Sequence, residues 1–445
     1  MSQQSPGALN AASDGNAKSP QLWRAWILVF VCLYALLLAV GLVGNGFKIA
    51  AGGDEAAENM FSFAVNPLTG LFLGILATVL LQSSSTVTAV IVGLVASGVL
   101  PVPIAVPMIM GSNLGTTVTN TLICMAYLTR KSELRRAFAA ATVHDFFNIL
   151  AIVIILPLEL LTGFLEKTAQ ASAGLLRGSD GATFPNPIRI LTRPVENLLH
   201  GSNGTGLLGS LPDIVAGVIL AFIGLALIIG SITVMGKLLR RVMQGRAERV
   251  FHAAVGRGPL AGVVSGTVVT VLVQSSTTTT SLIVPMAGAG IIRLDKVFPF
   301  TVGANIGTCV TALLASMAGG KSPELALAAL QIALVHLYFN LLATLIIMGI
   351  PWLRRLPPYF ALRLALLAVR KRALAIGYVA VTYVIIPALF LVVSVLVSGV
   401  KTLPDLSPDA PEEHHNDPPV PEHEPPPSLD QEHESTSLSR RSFHV

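Results

Sequence analysis

The sequence predicts an all-α integral membrane protein with inverted-topology repeats and two broken, re-entrant helical hairpins. The first observation is composition: of 445 residues, 53% are hydrophobic and only 12% are charged, and the mean hydropathy is +0.71. This composition is typical of a chain that crosses a bilayer several times. The second observation is a polar run inside an apolar stretch. The third is that this polar run occurs twice.

The two polar runs belong to an internal duplication. Residues 82–88 read Gln-Ser-Ser-Ser-Thr-Val-Thr and residues 274–280 read Gln-Ser-Ser-Thr-Thr-Thr-Thr, so the runs begin 192 residues apart. The same offset aligns a second motif, Gly-x-Asn-x-Gly-Thr, at residues 111–116 and 303–308. It also aligns several single residues: Gly74 with Gly266, Thr78 with Thr270, Gly98 with Gly290, Thr119 with Thr311, His144 with His336 and Asn148 with Asn340. A constant offset without gaps indicates two copies of one structural unit.

Apolar stretches long enough to cross a membrane as helices define the elements. They cover residues 22–45, 104–127, 137–162, 212–236, 297–318, 325–350 and 374–399, and the broken stretches are 67–100 and 258–292. The predicted organisation is therefore a flexible N-terminus (1–20), repeat 1 (21–165, hairpin 67–100), an external Gly/Pro/Ser-rich loop (166–211), repeat 2 (212–352, hairpin 258–292), an amphipathic segment with a terminal transmembrane helix (353–400), and an acidic, disordered Pro/His-rich tail (401–445).

Basic residues predict the orientation of the helices. They cluster in short loops near residues 130–136, 237–249 and 354–372, and counting the helices and hairpins places all three clusters on one face, as the positive-inside bias requires. Lys48 falls in a loop on the opposite face in this scheme. No aromatic interleaving or recognition motif accompanies the basic clusters, so the sequence predicts no nucleic-acid partner.

The two copies must have opposite orientations. Each copy contains three crossings and one hairpin, so the second copy begins on the other side of the membrane. Interrupted apolar segments at matching positions of inverted repeats are typical of secondary transporters with a site near the midplane. One hairpin would then open from each side, with the two polar tips close together.

The residue types at the tips suit ions. A helix broken in the membrane exposes N–H groups at one end, which favour an oxyanion, and C=O groups at the other. Carbonyl, hydroxyl and amide oxygens are ligands for a hard monovalent cation such as Na⁺. Neither run contains Lys or Arg, so a bound anion would depend on neutral donors and co-bound cations.

Other readings of these residues stay open. Ser/Thr runs in membrane helices also bond to their own carbonyls or hold helices together. For His144 and His336 a structural role, with hydrogen bonds to the hairpins, competes with a functional one. Asp145 aligns with Leu337 at the 192-residue offset and so has no acidic counterpart in the second copy. We expect it to have a local partner such as a loop arginine. A membrane hydrolase with a serine nucleophile, and a channel or regulatory sensor of the same fold, are rival functions.

Two segments carry a resemblance to a known family. Residues 106–121 (VPMIMGSNLGTTVTNT) and 135–148 (RRAFAAATVHDFFN) resemble the corresponding regions of type II sodium-dependent phosphate cotransporters, and paired Gln-Ser-Ser runs are a signature of that family. The resemblance covers roughly residues 65–350. The short segment 166–211, which lacks cysteine, resembles a bacterial-type member.

The resemblance implies a symporter that moves inorganic phosphate with Na⁺ by alternating access, with an elevator-type core and no enzymatic activity or organic cofactor. It implies a multi-pass protein of the cell membrane, in contact with the lipid bilayer, for which a homodimer is one assembly. By motif, the implied phosphate ligands are Ser83, Ser84, Ser85, Ser275, Ser276, Thr277, Asn113 and Asn305. The implied Na⁺ ligands are Gln82, Thr86, Gln274, Thr278, Asn113, Asn305, Thr116 and Thr308.

Overall fold

The structure, a computed structural model, is all-helical over the residues that it describes. These are residues 19–53, 56–57, 61, 64, 66–127, 129–177, 187–201, 205–254, 258–320 and 322–398. The predicted flexible N-terminus and the acidic tail lie almost wholly outside them. Among the described helices, six are long and apolar enough to cross a membrane: Trp23–Ala51, Lys131–Thr162, Asp213–Met243, Leu294–Ser316, Pro323–Gly349 and Arg372–Leu396.

Sixteen α-helices are described and numbered here in chain order. They are α1 (Ser19–Ala51), α2 (Pro67–Leu81), α3 (Ser84–Ser97), α4 (Val102–Gly115), α5 (Val118–Cys124), α6 (Lys131–Thr162), α7 (Phe164–Arg177), α8 (Pro187–Leu199), α9 (Asp213–Ala254), α10 (Pro259–Val273), α11 (Ser276–Gly288), α12 (Leu294–Ser316), α13 (Pro323–Gly349), α14 (Pro351–Arg370), α15 (Arg372–Ala380) and α16 (Ile386–Ser398). A π-helical turn, Val381–Ile385, joins α15 to α16.

Several segments differ from the sequence-based expectation. The three basic clusters, predicted as short loops, lie almost wholly in the helices α6, α9 and α14. The predicted span 104–127 is two helices, α4 and α5, separated at Thr116 and Thr117, although its counterpart α12 is continuous. Pro107 inside α4 and the threonines at the break weaken the helix there. The predicted loop 166–211 contains α7 and α8, whose sequences are amphipathic and less apolar than those of the membrane spans.

Glycines bring the broken helices close to the helices that follow them. A Cβ on Gly74 of α2 would lie 2.1 Å from the Met108 carbonyl oxygen of α4, and one on Gly111 would lie 1.9 Å from the Leu71 carbonyl oxygen. The same contacts recur 192 residues later between α10 and α12: Gly266 lies against the Phe300 carbonyl and Gly303 against the Val263 carbonyl. Because no side chain fits there, glycine permits backbone-to-backbone packing, as is common between membrane helices.

Two helices, α7 and α14, cross over between the copies: each packs on the repeat counterpart of the helix that it follows in the chain. Helix α7 follows α6 but packs mainly on α13, and α14 follows α13 but packs mainly on α6. Ala169 and Ala173 of α7 are fully buried, and so are Ala361 and Ala365 of α14, which stand at the same 192-residue offset. These alanines, spaced one helical turn apart, allow close helix packing. The matched arrangement therefore extends beyond the segments whose sequences resemble each other.

Helices α1 and α9 form a separate long contact. Gly46 of α1 lies against Ala221 of α9, and Gly217 of α9 lies against Ala50 of α1. Further along, Val29 and Cys32 of α1 cluster with Met235. Since advancing along one helix means receding along the other, the two helices are antiparallel.

The glycine contacts yield a stability prediction. Gly111→Ala and Gly303→Ala each place a methyl group where a backbone carbonyl stands, and overpacking of this kind costs about 1–3 kcal/mol or more. We expect a clearly lower midpoint of thermal unfolding for both variants in detergent.

The control is Gly230→Ala in the membrane span of α9, where a Cβ would meet no heavy atom within 4 Å. This variant should unfold at or slightly above the wild-type temperature, because alanine favours helix over glycine. Equal midpoints for all three variants would show that the close approaches do not limit stability.

Candidate functional site

A glutamine in left-handed conformation interrupts each broken helix. Gln82 (φ 53°) ends α2 and Gln274 (φ 54°) ends α10, and they are the only non-glycine residues with positive φ in the described part of the chain. This conformation costs free energy for a residue that has a Cβ. Its occurrence at both equivalent positions indicates that the surrounding structure enforces it.

The same two hydrogen bonds hold each glutamine. The Gln82 Nε2 donates to the Val79 carbonyl (2.5 Å) and its Oε1 accepts from Thr119 Oγ1 (2.8 Å). Gln274 donates to the Val271 carbonyl (2.8 Å) and accepts from Thr311 Oγ1 (3.3 Å). The side-chain amide thus satisfies a carbonyl that the broken helix leaves free, and each Oε1 keeps a second lone pair.

A serine begins the next helix in both copies. Ser83 caps α3, its Oγ accepting from the Thr86 backbone N–H (3.2 Å), and Ser275 caps α11 by accepting from the Thr278 N–H (3.1 Å). The cap leaves the other N–H groups of the first turn without an intrahelical acceptor. Each tip therefore combines free N–H donors with hydroxyl groups at a helix N-terminus, a favourable place for an anion.

A buried network of histidine and asparagine joins the two copies. His144 Nε2 bonds Asn305 Oδ1 (2.6 Å), and at the same offset His336 Nε2 bonds Asn113 Oδ1 (3.1 Å). Asn305 Nδ2 donates to Asn148 Oδ1 (2.8 Å), and Asn148 Nδ2 donates to the Asn113 carbonyl (3.0 Å). An amide oxygen only accepts, so each histidine donates from Nε2. The histidines therefore bond the Gly-x-Asn-x-Gly-Thr motif of the other copy, whereas the sequence suggested bonds to the hairpins.

Four of the predicted ligands already make hydrogen bonds within the protein. The Oδ1 atoms of Asn113 and Asn305 are already engaged by histidine, and Asn113 Nδ2 is buried with no hydrogen-bond partner among the described residues. The hydroxyls of Thr116 and Thr308 donate to the carbonyls of Ser112 and Ala304 (3.1 and 3.0 Å). These four residues stay predicted ligands. In this conformation each asparagine Oδ1 keeps one lone pair, each threonine hydroxyl keeps two, and the Asn113 amide keeps its N–H donors.

The two tips differ in exposure. Gln82 is exposed, whereas its counterpart Gln274 is only 8% exposed. Ser84, Ser85 and Thr86 are buried at the start of α3, as is Ser276 at the start of α11. Contacts across the copies continue beyond the tips: Asn120 of α5 donates to Thr280 Oγ1 of α11 (2.8 Å). The first tip is therefore open on the glutamine side, and the second is covered there.

A basic side chain, Arg240 of α9, reaches the second tip and donates to Thr278 Oγ1. The sequence assigned Arg240 to a basic loop and left both tips without a cation. The 192-residue offset does contain a signal, because it aligns Arg240 with Lys48. Lys48 is also not in a loop: it is buried in the last turn of α1.

Asp145 is a fully buried acid in α6, and its partner is not an arginine. Tyr378 of α15 donates to its Oδ2 (3.0 Å), and its Oδ1 has no hydrogen-bond partner among the described residues. Next to it, Thr117 at the α4–α5 break bonds Tyr383 Oη (2.7 Å) in the π-helical turn. An unpaired buried carboxylate is costly in a membrane, so these oxygen atoms make a further candidate for cation binding. No sequence pattern predicts this cluster, because both tyrosines come from beyond the duplicated region.

Resident cofactors have no evident place in the described helices. Cys32, Cys124 and Cys309 are buried and unpaired, and the described residues contain no cluster of three His, Cys, Asp or Glu side chains that could hold a metal ion. The candidate site consists instead of hydroxyls, amides and helix ends, which are groups suited to exchangeable ions.

Comparisons with known proteins show the family of this chain. A family model described as Na⁺/Pi-cotransporter matches residues 35–175 and 227–354. Sodium-dependent phosphate transport protein 2A of Ovis aries is 31% identical over 430 residues, covering 81% of this chain and 66% of the relative. Protein 2B of Homo sapiens is 30% identical over 445 residues, covering 81% of the chain and 64% of the relative. The chain thus spans slightly less than two thirds of the length of these relatives. No solved structure matches.

The network yields a coupling prediction. His336→Ala leaves the buried Asn113 Oδ1 without its donor, and an unsatisfied buried group costs about 1–3 kcal/mol. Asn113→Ala should have a similar cost, and the double variant should be less destabilised than the sum of the two, by about 1 kcal/mol or more. Thermal unfolding in detergent measures all three free energies of unfolding.

The matched control combines His336→Ala with Thr69→Ala, because Thr69 bonds Ser394 in another part of the molecule. These two changes should add. Additive costs for His336 and Asn113 as well would show that their hydrogen bond does not couple the copies.

Proposed function

The chain belongs to the Na⁺/Pi-cotransporter family, and we propose that it is a sodium-coupled symporter that imports inorganic phosphate by alternating access. Phosphate and Na⁺ bind between the tips of two inverted hairpins, α2–α3 and α10–α11. The observation that carries this proposal is the pair of helix breaks at Gln82 and Gln274, with their identical caps and hydrogen bonds. The protein is a transporter and not an enzyme.

The inverted-repeat architecture is supported by contacts that occur twice. His144 bonds Asn305 and His336 bonds Asn113, so each copy offers the other the same two groups. Reciprocal contacts of this kind are what a two-fold axis between two copies produces. With an odd number of crossings in each copy, that axis lies in the membrane plane and the hairpins open to opposite sides.

Phosphate binds at the N-termini of α3 and α11. Ser83, Ser84 and Ser85 provide hydroxyls and N–H groups at one tip, and the second tip provides the same groups from Ser275, Ser276 and Thr277. Both helix N-termini carry positive partial charge, which stabilises an oxyanion. Asn113 and Asn305 complete the proposed set of phosphate ligands, and the network that they share with the histidines fixes their side chains.

Sodium binds where oxygen atoms accumulate at the same breaks. The C-terminal carbonyls of α2 and α10, the Oε1 atoms of Gln82 and Gln274, and the hydroxyls of Thr86 and Thr278 form matched sets, with Thr116 and Thr308 on the neighbouring helices. Phosphate carries more than one negative charge near neutral pH, and the tip residues are uncharged. Bound Na⁺ supplies the compensating charge, so the site favours phosphate and Na⁺ together.

A serine hydrolase is the less favoured alternative. A nucleophilic serine needs a base within hydrogen-bonding distance, but the Nε2 atoms of His144 and His336 face asparagine. Each histidine is engaged in the network that joins the two copies. Hydrolysis of a phosphate ester by the purified protein would nevertheless restore this alternative.

The remaining parts of the proposal follow from the sequence. The membrane is the cell membrane, with the basic clusters on the inner side. The predicted boundaries of the repeats and hairpins are part of the proposal. The core that moves, in an elevator-type mechanism, contains the hairpins and the helices packed on them. The partners are phosphate, Na⁺ and lipid, and a homodimer remains one form of assembly.

Uptake of labelled phosphate into proteoliposomes tests the function. An inward Na⁺ gradient should drive accumulation, and replacing Na⁺ by choline should abolish it. Gln82→Ala and Gln274→Ala should each reduce uptake at least tenfold, because each removes an oxygen ligand and leaves a strained backbone without its hydrogen bonds.

Ser84→Ala and Ser276→Ala should raise the phosphate concentration that gives half-maximal uptake, since each removes one hydroxyl from a tip. Ser172→Ala in α7 is the matched control, because Ser172 donates to the Thr168 carbonyl of its own helix, and its uptake should equal that of wild type. Accumulation that persists in choline, or wild-type kinetics in both glutamine variants, would rule out the proposed site.

A further inference from the structure

The contacts of the helices divide them into two groups with different symmetry. In the first group, which we term the core (α2–α7 and α10–α14), contacts come in matched pairs: α2 packs on α4 as α10 packs on α12, α3 on α12 and α13 as α11 on α5 and α6, and α7 on α13 as α14 on α6. The second group, which we term the frame, is the antiparallel pair α1 and α9. Its contacts are also matched about the middle of the pair.

The contacts between frame and core are not matched. Helix α1 packs on α3, the second helix of the first hairpin, whereas α9 packs on α10, the first helix of the second hairpin. In the described residues, neither contact has a comparable counterpart at the 192-residue offset. The core and the frame each have matched halves, but they meet through unmatched contacts. A second arrangement is therefore possible, in which α1 takes the contacts that α9 makes here and α9 takes those of α1.

The asymmetry is visible in the contacts of one face of each frame helix. On α1, Val40 faces Gly93 and Gly44 faces Gly93 and Ser97, while the Lys48 Nζ lies 3.7 Å from the point where a Cβ on Gly98 would stand. These residues follow one another along one face of α1.

The equivalent face of α9 lies elsewhere on its hairpin. Gly236, the counterpart of Gly44, faces the Val273 carbonyl, and Arg240, the counterpart of Lys48, donates to Thr278. Lys48 is thus beside the far end of α3, and Arg240 is beside the tip of α11. Accordingly Gln274 is covered and Gln82 is exposed.

We propose that Lys48 and Arg240 are alternating gate residues, each of which contacts a hairpin tip in one of the two end states. In the conformation described here Arg240 binds the second tip through Thr278. In the opposite state the roles are exchanged: Lys48 contacts Thr86, and Arg240 lies beside Gly290. This proposal rests on the proposed transport function, and it adds two residues that the family resemblance did not indicate.

The size of the movement follows from helix geometry. Lys48 is now beside Gly98 and would come to lie beside Thr86, which is 12 residues away on α3, about 18 Å at 1.5 Å per residue. Because the matched contacts lie within the core and within the frame, the movement leaves these contacts in place in both bodies. Only the interface between them changes, and its small residues Gly44, Gly93 and Ser97 offer little resistance to sliding.

The charge of the gate residues gives them a role beyond packing. Thr278 Oγ1 is one of the oxygens proposed to bind Na⁺, and the Arg240 guanidinium occupies its vicinity as a tethered cation. Two like charges a few ångströms apart repel each other strongly near a protein surface. Arg240 therefore disfavours Na⁺ at the second tip in this state, while the first tip remains available. In the opposite state Lys48 would contact Thr86 and would disfavour Na⁺ at the first tip in the same way.

Cysteine cross-linking tests the exchange. In a background in which Cys32, Cys124 and Cys309 are replaced by alanine, one double variant, Lys48→Cys with Ser97→Cys, reports the state described here. A bifunctional thiol reagent about as long as a lysine side chain joins the two cysteines, because Lys48 reaches Gly98 with the end of its side chain. The counterpart of this double variant at the 192-residue offset, Arg240→Cys with Ala289→Cys, reports the opposite state. We expect both pairs to cross-link, with yields that change in opposite directions when Na⁺ and phosphate are added.

The control pair is Asn120→Cys with Thr280→Cys, which lies inside the core and should cross-link equally under all conditions. If the 240–289 pair does not cross-link under any condition while the control does, the exchange is wrong. Cross-linking does not depend on transport, so failure of phosphate uptake with normal cross-linking would contradict the proposed function alone.

A second measurement isolates the charge. Arg240→Gln keeps a hydrogen-bond donor but removes the cation, and we expect the Na⁺ concentration for half-maximal thermal stabilisation in detergent to fall about tenfold. Arg241→Gln, which removes the same charge one residue further along α9, should leave it unchanged. Equal Na⁺ dependence of the two variants would show that Arg240 does not compete with Na⁺, and Arg240→Lys should restore the wild-type value.

Discussion

The rest of the structure depends on the need to satisfy backbone polar groups where a helix breaks inside a membrane. Hydrocarbon offers no hydrogen bonds, so a broken helix survives only when protein or a bound ligand takes the place of water. At Gln82 and Gln274 the glutamine side chain satisfies one free carbonyl, and a serine cap satisfies one free N–H. The groups that remain free are those that an anion and a cation can satisfy. The close glycine contacts with α4 and α12 hold the breaks in place.

The histidine–asparagine network gives the core its unity. Its members come from both copies and are almost completely buried, so separating the copies would leave several polar groups unsatisfied in a medium of low dielectric. By contrast, α1 meets α3 mainly through glycine, serine and valine, whose contacts can be exchanged for similar ones at little cost. Strong, directional bonds within the core and weak, non-directional contacts at its border are the physical conditions for rigid-body movement.

The sequence predicted what repetition makes visible, and it could not predict what depends on packing between distant segments. The helix breaks at Gln82 and Gln274 lie within the predicted polar runs, and six of the seven predicted uninterrupted spans correspond to candidate membrane helices. The break at Thr116 and Thr117 was missed because the repeat partner α12 is continuous. The helices α7 and α14 share little beyond their buried alanines at the 192-residue offset, which is too little for recognition. Asp145 accepts a hydrogen bond from Tyr378, and Thr278 accepts one from Arg240. No local sequence pattern relates the two members of either pair, because they are far apart in the chain.

Charge balance connects the site with the gate. A phosphate ion held by neutral hydroxyls and N–H groups is stable in the membrane only with compensating cations, and mobile Na⁺ can provide them during translocation. In the proposed mechanism, release requires that these cations leave, and a tethered cation that approaches the tip at the end of the movement would promote this step without becoming a permanent ligand. A lysine or arginine built into the hairpin could not act in this way, because it would move with the core and bind phosphate equally in both states. Placing the basic residues on α1 and α9 makes their effect depend on position, and coupling between position and affinity is what a transporter driven by an ion gradient needs.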